Sequence, residues 1–352
     1  MSKKRILSIV SVVVISGLLV YGIILYNNIF SKNTKFNESE LYVHIPTDAT
    51  YEEVKTILTP YVQDMDKFET VAKKRSYTSN VKSGRFLFKK GMTSFELVTA
   101  LRQNVPVKLA FNNQERLENF AGRIGSQIEA DSTSLMKAFY EPEFLKENGF
   151  TENDVISIFV PNTYEFYWNT TAAKFRDKMV KEYRKFWTEE RIAKAKAQGL
   201  TPVQATTLAS IVHKETVKKD ERPRVAGVYL NRLKTGMMLQ ADPTVIYAKK
   251  KQLNDFDMVI KRVFSNDLKI DSPYNTYFYT GLPPGPIAMP DISAIDAVLN
   301  PEKHNYIYFC ASVTRLGYHD FAVTQAQHEV NARNYVAWLR EQIRLGKEAK
   351  NN

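Results

Sequence analysis

A chain of 352 residues, 44% hydrophobic and 25% charged, has room for two or three domains with real cores and excludes a disordered or fibrous protein. Its one cysteine, Cys310, excludes an intrachain disulfide and a cysteine-pair zinc site, and its apolar neighbours in NYIYFCA (305–311) make it a small core residue. The net charge of +11 would suit a polyanionic partner, but the lysines and arginines are spread along the chain without a dense block, so a solvated basic surface explains them equally well.

The run from Ile6 to Tyr26 carries no charge and reaches the ~20 residues a bilayer-crossing helix needs. Lys3, Lys4 and Arg5 precede it, which places the amino terminus inside the cytoplasm. No small-residue cleavage site follows, so the run reads as an uncleaved anchor. Residues 31–352 are then expected on the outer side of the cytoplasmic membrane, where anionic lipid and cell-wall polymers replace nucleic acid as polyanionic partners.

Ser31 to Glu40 is polar and reads as a linker. LYVHIP (41–46) and RFLFKKGM (85–92) are strand-like. After them, Thr50-x-x-Glu53 and Thr93-x-x-Glu96 open amphipathic helices as capping boxes. The pair forms a small α+β module. Residues 108–128 repeat the strand-then-helix pattern, with Asn112 or Asn113 as the cap. VPNTYEFYWNTT (160–171) concentrates Tyr164, Phe166, Tyr167 and Trp168, either as core or as faces for sugar rings. Residues 172–199 read as one charged amphipathic helix ending at Gly199.

Thr201 then caps a helix with Pro202 at its first position and Gln204 completing the box. Its apolar stripe is Leu208, Ile211 and Val212. Glu215 lies four residues after Ile211 and three after Val212, so its carboxylate falls on the buried side. A second helix from Pro223 to about Leu233 ends before Gly236, and the two form a helical hairpin with Glu215 near the turn. A carboxylate facing apolar surface is either ion-paired, with Lys218, Arg222 or Arg232 in reach, or a general acid whose proton desolvation retains near neutral pH.

Asp242 before Pro243 reads as a helix cap, and with Gln240 it flanks the hairpin closely enough to share a cleft with Glu215. Leu253–Ile270 is helix-prone. GLPPGPI (281–287) fixes a rigid loop, and Tyr274, Asn275 and Tyr277 before it supply the ring, amide and hydroxyl mix of a sugar site. The chain closes with a helix at Asp291–Leu299, strands NYIYFCAS and YHDFAVT around the turn TRLG, and a helix from the capping box Thr324-x-x-Gln327 to about Leu345. His319, Asp320 and His328 match no metal-ligand spacing, so no metal or other cofactor is expected.

Five segments in order, SIVHKET (210–216), VAGVYLNRL (225–233), LQADPTVIY (239–247), YNTYFYTGLPPGPI (274–287) and GYHDFAVT (317–324), strongly resemble the MltG/YceG family of bacterial endolytic murein transglycosylases. His213 stands where family members usually carry an acid. The resemblance implies an α+β protein: a cytoplasmic stub (1–5), a transmembrane anchor (6–26), a linker (27–40), a LysM-like module (41–106), a connecting segment (107–150), and a mixed α/β catalytic domain (151–347) whose helical hairpin carries the catalytic Glu.

It further implies peptidoglycan glycan strands as substrate, a single membrane span, and cell-wall synthases as neighbours. Glu215 would protonate the oxygen between N-acetylmuramic acid and N-acetylglucosamine. Its carboxylate would then accept the proton of the muramoyl C6 hydroxyl as that oxygen attacks C1, leaving a 1,6-anhydromuramoyl end. Intramolecular attack uses the proximity built into the substrate. Gln240, Asp242, Tyr274, Asn275, Tyr277 and His319 would line the sugar site. Two other readings stay open: a hydrolysing muramidase using Glu215 and Asp242, which needs the second carboxylate that the lytic route does not, and a non-catalytic wall-binding anchor.

Overall fold

The computed structural model describes residues 3–351. Helix α1 (Lys3–Phe30) is continuous, and among the described residues no other part covers its apolar window Ser8–Asn27. An uncovered surface this apolar is compatible with a lipid surrounding.

The chain divides into two compact units, one of residues up to 109 with 124–131 and 164–171, the other of 110–123, 132–163 and from 172 onward. The first unit is built on the antiparallel pair β1 (Glu40–Ile45) and β2 (Gly84–Lys89), registered from Glu40 opposite Lys89 to Ile45 opposite Gly84. Strand alternation turns Val43, Ile45, Phe86 and Phe88 inward. Helices α2 (Tyr51–Leu58), α3 (Met65–Lys74) and α4 (Ser94–Ala100) add Val54, Leu58, Phe68, Val71, Leu97 and Val98 to the same core. Both expected capping boxes form, at Thr50 with Glu53 and at Thr93 with Glu96. Thr93→Ala is expected to destabilise the protein by about 1 kcal/mol, read as a lower thermal midpoint for this unit.

Two features of this unit depart from the sequence reading. Helix α3 is an additional helix, capped by Asp64, whose side chain accepts from the Lys67 amide. The stretch after α1 is not a free linker. Asn33 is buried, donates to the Asp64 carbonyl at 2.8 Å and to Ser94 Oγ at 2.9 Å, and accepts from the Asp64 amide at 2.7 Å. Phe36 joins the core beside it. A buried amide with its hydrogen bonds met pins the segment.

Strand β3 (Val107–Ala110) pairs with β4 (Thr163–Phe166). The aromatics of 160–171 divide by environment: Phe166 is buried, Trp168 lies 4.7 Å from the His44 ring, and Tyr167 is exposed.

In the second unit, α5 (Leu117–Gly125), α6 (Ser132–Phe139), α7 (Pro142–Asn148) and α8 (Ala172–Phe186) surround a cluster of Phe120, Phe139, Phe159 and Phe175. Helix α5 begins beyond the asparagines expected to cap it, because the Asn113 amide donates to the Met289 carbonyl instead. The single helix expected over 172–199 is two. Trp187 is buried at a break, and Thr188 caps α9 (Glu189–Ala197) by accepting from the Arg191 amide.

The remaining core joins α10 (Pro202–Glu215), α11 (Arg222–Lys234) and α13 (Ile292–Leu299) through Leu208, Ile211, Val212, Val225, Ala226, Ile295 and Val298. The box at Thr201 and Gln204 forms as the sequence predicts. Helix α12 (Asp242–Leu253) stops at Asn254, which takes a left-handed φ of 49°, so the helix-prone stretch after it is mostly loop. Strands β5 (Tyr308–Ala311) and β6 (His319–Ala322) pair antiparallel, Tyr308 opposite Ala322 and Ala311 opposite His319, before α14 (Gln325–Asn351). Cys310 is half-buried on β5 rather than a core residue.

Candidate active site

Glu215 is the last residue of α10, where the chain leaves the helix at the extended Thr216. The residue is partly exposed, while its carboxyl is closely enclosed by protein atoms. Buried Tyr229, two turns into α11, donates its hydroxyl proton to Glu215 Oε2 at 3.1 Å. Desolvation raises the Glu215 pKa from its ordinary 4.5 to about 7, outweighing the downward pull of His319 and of the Tyr229 hydrogen bond, while Asp242 adds a smaller upward push. Burial, and then the neighbouring Glu215, hold the Tyr229 phenol well above its usual range. A glutamic acid therefore keeps its proton near neutral pH at the end of α10.

Asp242 is brought beside it by a different route. The Gln240 amide donates to the Thr276 carbonyl and the Ala241 amide to Thr276 Oγ1, each at 3.0 Å, stitching the start of α12 to the 274–279 segment. The Asp242 carboxylate is not the helix cap expected for it: α12 lacks a side-chain cap bond, and Asp242 Oδ1 accepts the Tyr277 hydroxyl at 2.7 Å. Gln240 is exposed with φ of 48°, a left-handed conformation that a glutamine adopts only under outside constraint. Arg232 supplies part of that constraint by donating to the Leu239 and Ile307 carbonyls, each at 2.6 Å.

His319 approaches from β6. Glu221, buried in the turn before α11, accepts the His319 amide at 2.7 Å and lies 2.9 Å from its Nδ1. Burial alone would raise the Glu221 carboxyl, but the hydrogen bonds from the His319 ring and amide together hold it below its usual value. The ring is further fixed edge-on against Phe309 at 5.1 Å, and Phe309 packs against Tyr229 at 5.8 Å. One aromatic stack thus links the His319 and Glu215 supports.

Of the residues expected at the site, Glu215, Asp242, Tyr277 and His319 converge, and Gln240 lies on the adjoining strained segment. Tyr274 and Asn275 do not point there. Tyr274 is buried, its hydroxyl 3.4 Å from Asn153 Oδ1 and its ring 4.7 Å from Tyr247. Asn275 is fully buried. It donates to the Leu268 and Ile270 carbonyls and accepts from the Tyr277 amide at 3.0 Å, so it shapes the loop that carries Tyr277. The expected ion-pair partners of Glu215 go elsewhere too: Arg222 bonds Asp291 and Ser293, and Arg232 is engaged as above.

His213 faces away from Glu215, its Nδ1 3.3 Å from both Asp291 Oδ2 and Arg222 Nη2, and burial lowers its pKa. His328 stacks on Tyr308 at 5.2 Å. Among the described residues no cluster of three or more His, Cys, Asp and Glu is placed to hold a metal ion. Tyr229 and Glu221 are the site residues that sequence reasoning missed, and Arg232 was expected only as an ion-pair partner of Glu215. Of the two, only Tyr229 left a signal, a phenol in a helix whose hydroxyl requires a partner when buried.

Comparison with known proteins comes out consistently. Residues 43–334 match the YceG-like family. The chain is 27% identical over 344 residues to the endolytic murein transglycosylase of Bacillus subtilis (strain 168), covering 92% of this chain and 91% of that protein. It is 34% identical over 176 residues to the endolytic murein transglycosylase of Streptococcus pneumoniae serotype 2, covering 50% of this chain and 31% of that protein. A crystal structure of a yceG-like protein from Listeria monocytogenes superimposes with a TM-score of 0.54 at 27% identity, over 83% of this chain and 99% of that one.

Proposed function

This chain belongs to the YceG-like family, and from that premise we propose that it is a peptidoglycan lytic transglycosylase in which Glu215 is the general acid and base. What supports the assignment to Glu215 is its place at the end of α10, held by the Tyr229 hydroxyl at 3.1 Å in surroundings whose burial pushes its carboxyl pKa up to about 7. Tyr229 occupies Oε2, so the proton is carried by Oε1 and presented to the glycosidic oxygen between N-acetylmuramic acid and N-acetylglucosamine. Proton transfer lets the bond break with an oxocarbenium-like sugar. The carboxylate left behind, stabilised by the Tyr229 hydroxyl and by His319, then accepts the C6 hydroxyl proton while that oxygen closes on C1. No water enters, and the product ends in 1,6-anhydromuramic acid. Asp242, oriented by Tyr277, and Gln240 serve as hydrogen-bonding partners of the sugar.

Residues 6–26 anchor the enzyme with its amino terminus in the cytoplasm, so that the cleft works on strands emerging at the outer face beside the synthases that make them. The LysM-like reading of the first unit makes it a spacer or an added glycan contact.

Mass spectrometry of murein digested by the full chain tests the chemistry. Anhydromuramoyl ends are expected. Reducing ends carrying an added water would replace this reading with a hydrolase using Asp242 as the second carboxylate. The pH dependence adds a check: kcat/KM should be level below pH ~7 and fall about tenfold per pH unit above it, as Glu215 loses its proton. The Tyr229 hydrogen bond favours the carboxylate, so Tyr229→Phe should move that alkaline limb upward. A limb that stays fixed would separate it from Glu215.

A further inference from the structure

A second cavity, of about 200 Å³, lies at the carboxyl end of α12. Its walls are aromatic: Tyr247 sits 4.7 Å from the Tyr274 ring and 5.5 Å from Phe256, with Tyr140 completing the ring set. Charges of both signs stand over these faces. Lys251 Nζ lies 4.6 Å above the Tyr274 ring, and the Arg116 guanidinium lies 4.6 Å above Phe256. Glu118, whose Oε2 lies 3.7 Å from Arg116 Nε, and Glu152, both exposed, also line the cavity and act electrostatically on the Tyr140 phenol.

A neighbouring hollow of about 320 Å³ shares Glu115, Tyr247 and Phe256 with this cavity and reaches Lys214 and Pro243, the chain neighbours of Glu215 and Asp242. Glu115 is the brace between the two hollows, bonding Lys214 at 2.7 Å and Lys250 at 2.9 Å. Asp242 and Lys251 begin and nearly end the same helix, about 13 Å apart at 1.5 Å per residue. A sugar ring alone needs no ammonium acceptor. A pocket with aromatic faces, paired carboxylates and a lysine fits a short flexible chain bearing both an ammonium and a carboxylate. Peptidoglycan carries such a chain on the lactyl group of muramic acid.

We propose that this aromatic pocket binds the peptide stem of peptidoglycan, with the stem's ammonium group against Glu118 and Glu152 and a stem carboxylate against Lys251. The proposal rests on the murein reading of the Glu215 site. It gives the enzyme a means to place the scissile bond relative to a peptide-bearing sugar.

Calorimetric titration of the full chain with stem peptide released from murein by an amidase tests it, alongside the same peptide with its side-chain amine acetylated and a peptide-free disaccharide. Binding of the free-amine peptide should weaken about tenfold in the Glu118→Gln/Glu152→Gln double variant and in Lys251→Met, charge-assisted hydrogen bonds having been lost. Acetylation should weaken binding to the wild type equally and to the double variant no further. All three positions are exposed, so the fold is retained. Stem peptide that does not bind, or binds all variants alike, overturns the proposal, as does displacement of the peptide by the bare disaccharide. Cleavage of intact, peptide-bearing murein, measured separately, reads whether the murein chemistry itself holds. Peptide binding that persists without such cleavage would sink the enzymatic reading and leave the stem pocket standing.

Discussion

Glu215→Gln is expected to slow murein cleavage by about 10³-fold, within the range that a positioned general acid contributes, and at the same time to make the protein more stable above neutral pH. The sign follows from the raised pKa. Between the unfolded value of 4.5 and the folded value of about 7, the native state holds a proton that the unfolded chain releases, so stability falls as pH rises through this window. Above it the burial of an unneutralised carboxylate costs about 1–3 kcal/mol, partial access to solvent lowering the ceiling. Glutamine fills the same space without charge and removes that cost. The variant should therefore melt higher than the wild type at pH 8, with the gap closing toward pH 4.5. Retained activity above a tenth of wild type would remove Glu215 from the mechanism. An unchanged melting difference across the pH range would remove the buried proton.

Gly285→Ala should produce the largest structural effect. A Cβ built there stands 2.0 Å from the Asn153 carbonyl oxygen and 2.6 Å from its carbon. Both are backbone atoms that no rotamer change can move, so the proline-rich loop must shift bodily. A loss of about 3 kcal/mol or more is expected. Because the same loop descends from Tyr277, its hydroxyl should leave Asp242 and kcat should fall with stability. Gly281 is the control. Its φ is +84° but open space surrounds it, so Gly281→Ala should cost only about 1 kcal/mol through backbone strain. Equal thermal shifts for the two variants would contradict the close-approach account.

Much of the site was legible because its signals are local. The cap at Thr201, the proline at Pro202 and the three- and four-residue spacing from Ile211 and Val212 place Glu215 on the buried face without reference to any distant residue. The aromatic segment 274–279 was legible only as a site-forming stretch. Which of its residues faces the cleft depends on the Thr276 hydrogen bonds to Gln240 and Ala241, which aim Tyr277 at Asp242 and turn Tyr274 the other way. A propensity reading has no access to that choice, since either tyrosine suits a sugar equally well. The misplaced caps share the same cause. Asn113 and Asp242 are good capping residues whose side chains are drawn to Met289 and Tyr277 instead.

The sequence by itself determined the apolar N-terminal run, the capped helices at Thr50, Thr93 and Thr201, the closing hairpin, the family and the position of Glu215, because each rests on composition, on residues within a turn or two, or on ordered motifs. Only the tertiary structure decided that the Glu215 carboxyl holds its proton to about pH 7, that Tyr229 is its hydrogen-bond partner, and that Glu221 fixes His319 across 98 residues of chain. Desolvation is a collective property of everything packed around a group, and partners far apart in sequence meet only where the cores of several helices put them.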